Sequence, residues 1–164
     1  KKMTAPWKDA KLILPEDVEK KSQELKSQGK TIATLNGSFD LMHAGHLQMI
    51  HEASKQADCL ILALNTDDSI KKYKSPSRPL VSLEHRLQMA AALEFVDYVT
   101  YFHETDPCEL LKKVKPDVHV NGSEYGEGCV EAGVIREVGG KIHIVKLVPG
   151  LSTTNLIKKI KSCD

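Results

Sequence analysis

His43 and His46 stand three positions apart with only Ala44 and Gly45 between them, ending the run Asn36-Gly37-Ser38-Phe39-Asp40-Leu41-Met42-His43-Ala44-Gly45-His46. Imidazole N–H groups donate hydrogen bonds to phosphate oxygens, and Gly45 removes the side chain that would obstruct a ligand. The run follows a short, β-branched, apolar segment, Thr31 to Leu35, and precedes Leu47, Ile50, His51 and Ala53 at roughly helical spacing. This pattern predicts a buried strand, a tight turn and a helix beginning near His43 or His46. Such a junction leaves backbone N–H groups unpaired at the positive end of a helix, a place that phosphate fills well. Taken singly, a glycine after a strand is a turn and a histidine at a helix start is a cap. The chemistry lies in the combination.

Further stretches carry charge and donors. Asn65-Thr66-Asp67-Asp68-Ser69-Ile70-Lys71-Lys72-Tyr73-Lys74, then Ser77-Arg78-Pro79, put three lysines and an arginine on what reads as a loop, limited by Pro76 and Pro79. Its plain reading is a solvated basic loop. Beside a phosphate turn, it reads as a mobile cationic loop that closes over substrate and neutralises developing charge. In Pro149-Gly150-Leu151-Ser152-Thr153-Thr154-Asn155, Ser152 or Thr153 is an N-cap, and a phosphate on that helix start is the functional alternative. Arg86, in Glu84-His85-Arg86, is a surface charge, a phosphate ligand or a brace for the basic loop. Asn121-Gly122-Ser123-Glu124-Tyr125 could meet a base or sugar, with Tyr125 as a stacking surface. His51, His103, His119 and His143 read as structural.

The elements that must position these groups alternate. Residues up to about Leu14 show no period, and a frayed start is expected there. Pro15 opens an amphipathic helix that Gly29 closes. Strands follow at Thr31–Leu35, Cys59–Leu64, Val96–Tyr101, Val118–Val120 and Lys141–Leu147. Helices lie between them, at about 46–56, 82–93 with Ser82 as N-cap, 107–114 and 131–138, and a last one covers 152–161. The expected fold is α/β, a doubly wound parallel sheet of about five strands with helices on both faces. Ligands of such sheets bind outside the carboxyl ends of the strands, where strand order reverses. Every polar cluster named above follows a strand, so all should converge on one edge.

At 164 residues one main domain is expected, 31–164, with 1–30 an N-terminal segment whose helix packs on it. A net charge of +1 gives no reason to expect a nucleic-acid partner. No apolar run approaches the ~20 residues of a membrane span, and no secretory signal is visible. The four cysteines form no C-x-x-C pair, which fits a reduced, cytoplasmic setting without a disulfide framework or zinc site. Cys59 reads as a buried small hydrophobe.

The string G-S-F-D-L-M-H-A-G-H after an apolar strand resembles the signature of the cytidylyltransferase-like nucleotidyltransferases, which share H-x-G-H with class I aminoacyl-tRNA synthetases. From about Leu14 to Ile160 the chain looks most like the heptose-1-phosphate adenylyltransferases, alone or as the C-terminal half of a bifunctional ADP-heptose synthase. The family's T-N-G-x-F-D-x-x-H-x-G-H, N-S-D-x-S-x-K-x-x-K, R-P, E-x-R and S-T-T all have counterparts here. Two departures stand out. Asn121 replaces the lysine of the family's V-K-G-G-D-Y, which bears on sugar or nucleotide preference. Leu147 and Val148 stand where glycerol-3-phosphate cytidylyltransferases carry Arg and Thr, which argues against glycerol phosphate.

The resemblance implies attack of a sugar or polyol phosphate on the α-phosphorus of a nucleoside triphosphate, most simply AMP transfer from ATP, with pyrophosphate released. His43, His46, Lys71 and Lys74 are then catalytic. Gly37, Ser38, Phe39, His43 and His46 would meet the nucleotide, as would Asn65, Asp67 and Arg86. Asn121, Gly122, Leu151, Ser152, Thr153 and Thr154 would complete its site. Lys71, Lys74, Arg78 and Glu124 would hold the acceptor. Mg²⁺ would bridge phosphate oxygens with few protein ligands, so no protein metal site is assigned. The implied partners are ATP or CTP, a phosphorylated sugar or polyol, and a second copy of the chain. The competing readings are a cytidylyltransferase acting on glycerol-3-phosphate or phosphoethanolamine, a pantetheine-phosphate transferase, and a nucleotide-binding module without turnover.

Overall fold

The computed structural model describes residues 4–124, 126 and 128–163. Its first helix, α1 (Pro6–Lys11), begins with proline at the turn where a missing N–H costs nothing. The frayed start expected from the sequence is therefore corrected. Six residues are too few to show a period, and α1 is held by bonds to distant chain. Trp7 Nε1 donates to the Gln88 carbonyl at 3.0 Å, and Lys11 Nζ to those of Leu93 and Val96 at 3.1 and 2.7 Å. A 3₁₀ turn at Pro15–Asp17 leads into α2 (Val18–Ser27), which buries Val18, Ser22 and Leu25.

Then come β1 (Ile32–Gly37), α3 (Ala44–Ser54) and β2 (Cys59–Asn65), the last buried at every position. The next element differs from expectation. Residues 65–74 are not a loop, because Asp67–Tyr73 form helix α4. Thr66 caps it by accepting the Ser69 N–H, Asp67 and Asp68 sit in its positive first turn, and Ile70 is fully buried. Three lysines hide this helix from a charge-based reading, while its cap and single apolar anchor form it. After α4 come α5 (Leu83–Ala91), β3 (Tyr98–Phe102), α6 (Cys108–Val114), β4 (Val118–Gly122), α7 (Ala132–Glu137), β5 (Lys141–Val145) and α8 (Thr153–Lys161). Ser82 stands at the N-cap of α5 without a side-chain cap bond, and the Leu83 N–H goes instead to Asp67 Oδ1 at 2.9 Å.

All strand pairs are parallel, in the order β3-β2-β1-β4-β5. The chain winds one way from β1 to β3 and the other way through β4 and β5, so order reverses between β1 and β4. Strand alternation splits the core into two layers. Ala33, Leu35, Leu60, Leu62 and Leu64 face α3 and α5 through Ile50, Ala53, Leu87 and Ala90. Ile32, Cys59, Ile61 and Ala63 face α2 and α6 through Val18, Leu25, Leu110 and Val114. Each fully buried aliphatic side chain stabilises the fold by roughly 1.5–3 kcal/mol. The second layer turns polar toward the carboxyl edge. There Thr34 Oγ1 meets His119 Nδ1 at 2.8 Å with both side chains buried. Among the described residues, no helix is long and apolar enough to cross a membrane.

Candidate active site

The turn after β1 is built around Phe39 and Asp40. Phe39 takes a left-handed φ of 49° and is 5 % exposed, its ring packed where a β-carbon on Gly37 would fall 3.0 Å away. A bulky residue in that backbone region is strained and persists only where surrounding packing holds it. Asp40, also buried, accepts the backbone N–H groups of Leu80 at 2.9 Å and Val81 at 2.8 Å, with Arg78 at 3.8 Å. It thereby pins the segment between α4 and α5 to the turn. Arg78 is thus engaged with Asp40.

His43 is the N-cap of α3 and its Nδ1 accepts the Gly45 N–H at 3.1 Å, while His46 Nδ1 accepts the His43 N–H at 3.2 Å. An Nδ1 that accepts carries no proton, so both neutral rings hold theirs on Nε2. The backbone thus sets both as Nε2–H donors. The rings lie 3.9 Å apart between centroids, tilted by 31°. Burial first, then His43 and Lys74, pushes His46 down to about 4, and burial lowers His43 as well. A β-carbon on Gly45 would sit 2.9 Å from the His43 ring and 3.1 Å from the Leu151 Cβ, so glycine is required by close approach. That contact and the Thr153 hydroxyl, 3.5 Å from the Leu41 carbonyl, bring the start of α8 against the start of α3. Ser152 caps α8 by accepting the Asn155 N–H at 3.1 Å, and Thr154 is exposed in its first turn.

The cations separate by position. Lys74, at the end of α4, donates to Ser38 Oγ at 3.1 Å; partial burial and then Arg78 lower its pKa. Lys71 is exposed on α4 and does not line the clefts described below. Arg86 is 1 % exposed and turned inward. Its guanidinium donates to the carbonyls of Val81, Ser38 and Asn65 and to Asp67 Oδ1, at 2.9, 2.8, 2.8 and 2.6 Å. Arg86 and Asp67 therefore brace the turns after β1 and β2 from beneath.

Two adjoining clefts open at the carboxyl ends of β1 and β4. One, about 200 Å³, is lined by Gly37, Ser38, Phe39, His46, Lys74, Asn121, Gly122 and Glu124, together with Asn36, Met49 and Tyr73. The other, about 230 Å³, shares Asn36, Gly37, Tyr73 and Asn121, and adds Asn65, Thr105, Asp106, Pro107 and Glu131. Of the residues picked out by sequence, the first cleft gathers eight. Asn36, Tyr73, Asp106 and Glu131 were not picked out. Asn36 and Tyr73 lie inside the quoted motifs, but Asp106 and Glu131 carry no local signal. Tyr125 lies outside the described residues. A larger hollow of about 410 Å³ lies beside Leu12, Leu14 and Tyr98, the first residue of β3, away from this edge. Three other histidines are engaged elsewhere, His51 on Phe95, His103 on Tyr101, and His143 with Glu52 at 2.9 Å.

The family model for cytidylyltransferase-like proteins matches residues 34–163. Among curated proteins, the bifunctional protein HldE of Syntrophotalea carbinolica is 40% identical over 153 residues, covering 93% of this chain and 31% of that protein. The bifunctional protein HldE of Aliarcobacter butzleri is 44% identical over 146 residues, covering 89% and 30%. The chain thus spans under a third of the length of these relatives. Among solved structures, the lipopolysaccharide core biosynthesis protein from Thermoplasma volcanium aligns with a TM-score of 0.59 at 27% identity. That alignment covers 73% of this chain and 98% of the other.

Proposed function

We propose that this chain, which belongs to the cytidylyltransferase-like family and is a nucleotidyltransferase, transfers AMP from ATP to a sugar 1-phosphate such as D-glycero-D-manno-heptose 1-phosphate. A phosphate oxygen of the acceptor forms a new bond to the α-phosphorus, the bond from that phosphorus to the bridging oxygen breaks, and pyrophosphate leaves with the electron pair. No covalent enzyme intermediate is needed, so positioning and charge stabilisation supply the catalysis.

The observation that carries this reading is the pair of occupied Nδ1 atoms on His43 and His46. Rings so held donate through Nε2 to phosphate oxygens and do not act as bases. Lys74 meets charge on the transferred group, while the starts of α3 and α8 offer N–H groups to the leaving pyrophosphate. The relatives' names and the motif-by-motif likeness to heptose-1-phosphate adenylyltransferases support the acceptor. Mg²⁺ fits as a companion of the triphosphate: Asp40 and Asp67, in the turns after β1 and β2, are already engaged by backbone amides and arginine, and Glu124 is the single carboxylate lining the first cleft among the described residues. When bound it would offset phosphate charge.

Pyrophosphate release with ATP and with CTP, each against heptose 1-phosphate, glycerol-3-phosphate and phosphoethanolamine, tests the proposal. Turnover should be confined to ATP with heptose 1-phosphate. Turnover with CTP or another acceptor overturns the substrate assignment, and nucleotide binding without pyrophosphate release overturns the reaction.

A further inference from the structure

We infer that the 230 Å³ chamber receives the hydroxyl-bearing body of the phosphorylated acceptor, with Asn36, Asp106 and Glu131 as the groups that recognise it; this rests on the reaction proposed above. The two clefts differ in charge. The first holds Lys74 and His46, whereas among the described residues no lysine, arginine or histidine lines the second. Its charged groups are the carboxylates of Asp106 and Glu131, which only accept hydrogen bonds when ionised. Asn65 and Asn121, 4 % and 7 % exposed, donate N–H groups to Ser69 Oγ and Cys129 Sγ, each at 3.0 Å. Asn36 Oδ1 is buried without a hydrogen-bond partner among the described residues. A buried acceptor left open calls for a donor. An ionised phosphate has none to give, and a sugar hydroxyl does. The volume is many times the ~30 Å³ of one water in the liquid, so it suits a ring or polyol chain better than a lone ion.

Reaction geometry favours the acceptor over the nucleoside. The starts of α3 and α8, where phosphates find N–H groups, lie on the α3 face of β1. Asn36, Asn65 and Asn121 face the opposite layer, toward the starts of α6 and α7. Attacking and leaving oxygens lie in line through phosphorus. With pyrophosphate on the α3 side, the acceptor enters from the chamber side.

The test is calorimetric titration of the nucleotide-free chain with D-glycero-D-manno-heptose 1-phosphate and, separately, with ATP in the absence of acceptor. Glu131→Gln is the main variant, because Glu131 makes no side-chain cap bond to α7. Asp106→Asn is the second, able to keep the 2.9 Å bond to the Cys108 amide. Each should weaken heptose 1-phosphate binding about tenfold, the scale of one hydrogen bond to a charged group, and leave ATP binding unchanged. Weakened ATP binding with heptose phosphate unaffected would give the chamber to the nucleoside and overturn the inference. Equal binding in all chains, or no binding to the wild type, would also overturn it. Failure of the reaction itself reads differently, as heptose phosphate bound in the wild type without pyrophosphate release.

Discussion

The Arg86 guanidinium donates to the Ser38 carbonyl at 2.8 Å, across 48 residues of sequence, and to the Asn65 carbonyl at the same distance. One buried cation on α5 thus ties the turn after β1 to the end of β2. Arg86→Ala would strand the carbonyls of Val81, Ser38 and Asn65 and leave Asp67 with only the Leu83 N–H. A loss of several kcal/mol is expected, at about 1–3 kcal/mol for each buried carbonyl left unsatisfied. Urea denaturation measures it. Arg86→Lys should recover little, since one ammonium cannot reproduce the fork. A lysine variant of wild-type stability would show that the brace is dispensable.

His43→Ala and His119→Ala should separate catalysis from packing. The first removes an Nε2–H donor and should lower kcat by ~10²-fold or more. The second removes a buried ring bonded to Thr34, so it should lower the Tm and leave kcat near wild type. Steady-state kinetics with thermal melts on both variants decide it, and a kcat loss confined to His119→Ala would reverse the assignment.

Acid should destabilise the chain through two neutral histidines. Burial pushes His46 and His119 to about 4 from an ordinary 6.5. Between those values the unfolded chain takes up protons that the folded chain refuses, so stability falls as pH drops from 6.5 toward 4. Above 6.5 neither group contributes a slope. Melting temperatures at steps across this range should show the decline, and His119→Gln should flatten it. An equal slope in that variant would remove His119 from the effect.

Gly45→Ala should divide stability from activity. Alanine is the better helix former, by up to about 0.8–1 kcal/mol in a helix interior and by less at this second position of α3, which offsets part of the crowding. Its β-carbon nonetheless collides with the His43 ring and crowds Leu151. A displacement near 1 Å costs on the order of 10²-fold in rate. The expected variant stays folded with a melting temperature near wild type and is nearly inactive. Wild-type kcat would mean that neither the ring nor the start of α8 needs its present place.

The sheet is legible in the sequence because its strands are short runs rich in aliphatic, β-branched and aromatic residues between glycine, proline and polar breaks. The histidine junction is legible because strand, turn and helix follow one another within two dozen residues. What escaped depends on distance. The partners of Asp40 lie 40 residues on, at Leu80 and Val81, and no local pattern reveals that its carboxylate holds backbone there. Arg86 reads as readily as a surface charge as a group turned toward a phosphate or the basic loop until its burial is seen. Helix α1 is too short for a period. In α4 the charge of the lysines masks the cap at Thr66 and the apolar anchor at Ile70.

That last difference changes how the site operates. A swinging loop would have to order its lysines anew with each substrate, and a closing step would precede chemistry. Lys74 stands instead at the end of a capped helix, hydrogen-bonded to Ser38, and the segment beyond it is fastened to Asp40. The conformational entropy of presenting that ammonium is lost once, when the chain folds, and not again in every cycle. Ligand association at this edge should therefore be limited by diffusional encounter, slowing in proportion as solvent viscosity rises and responding to ionic strength, with no separate closing step.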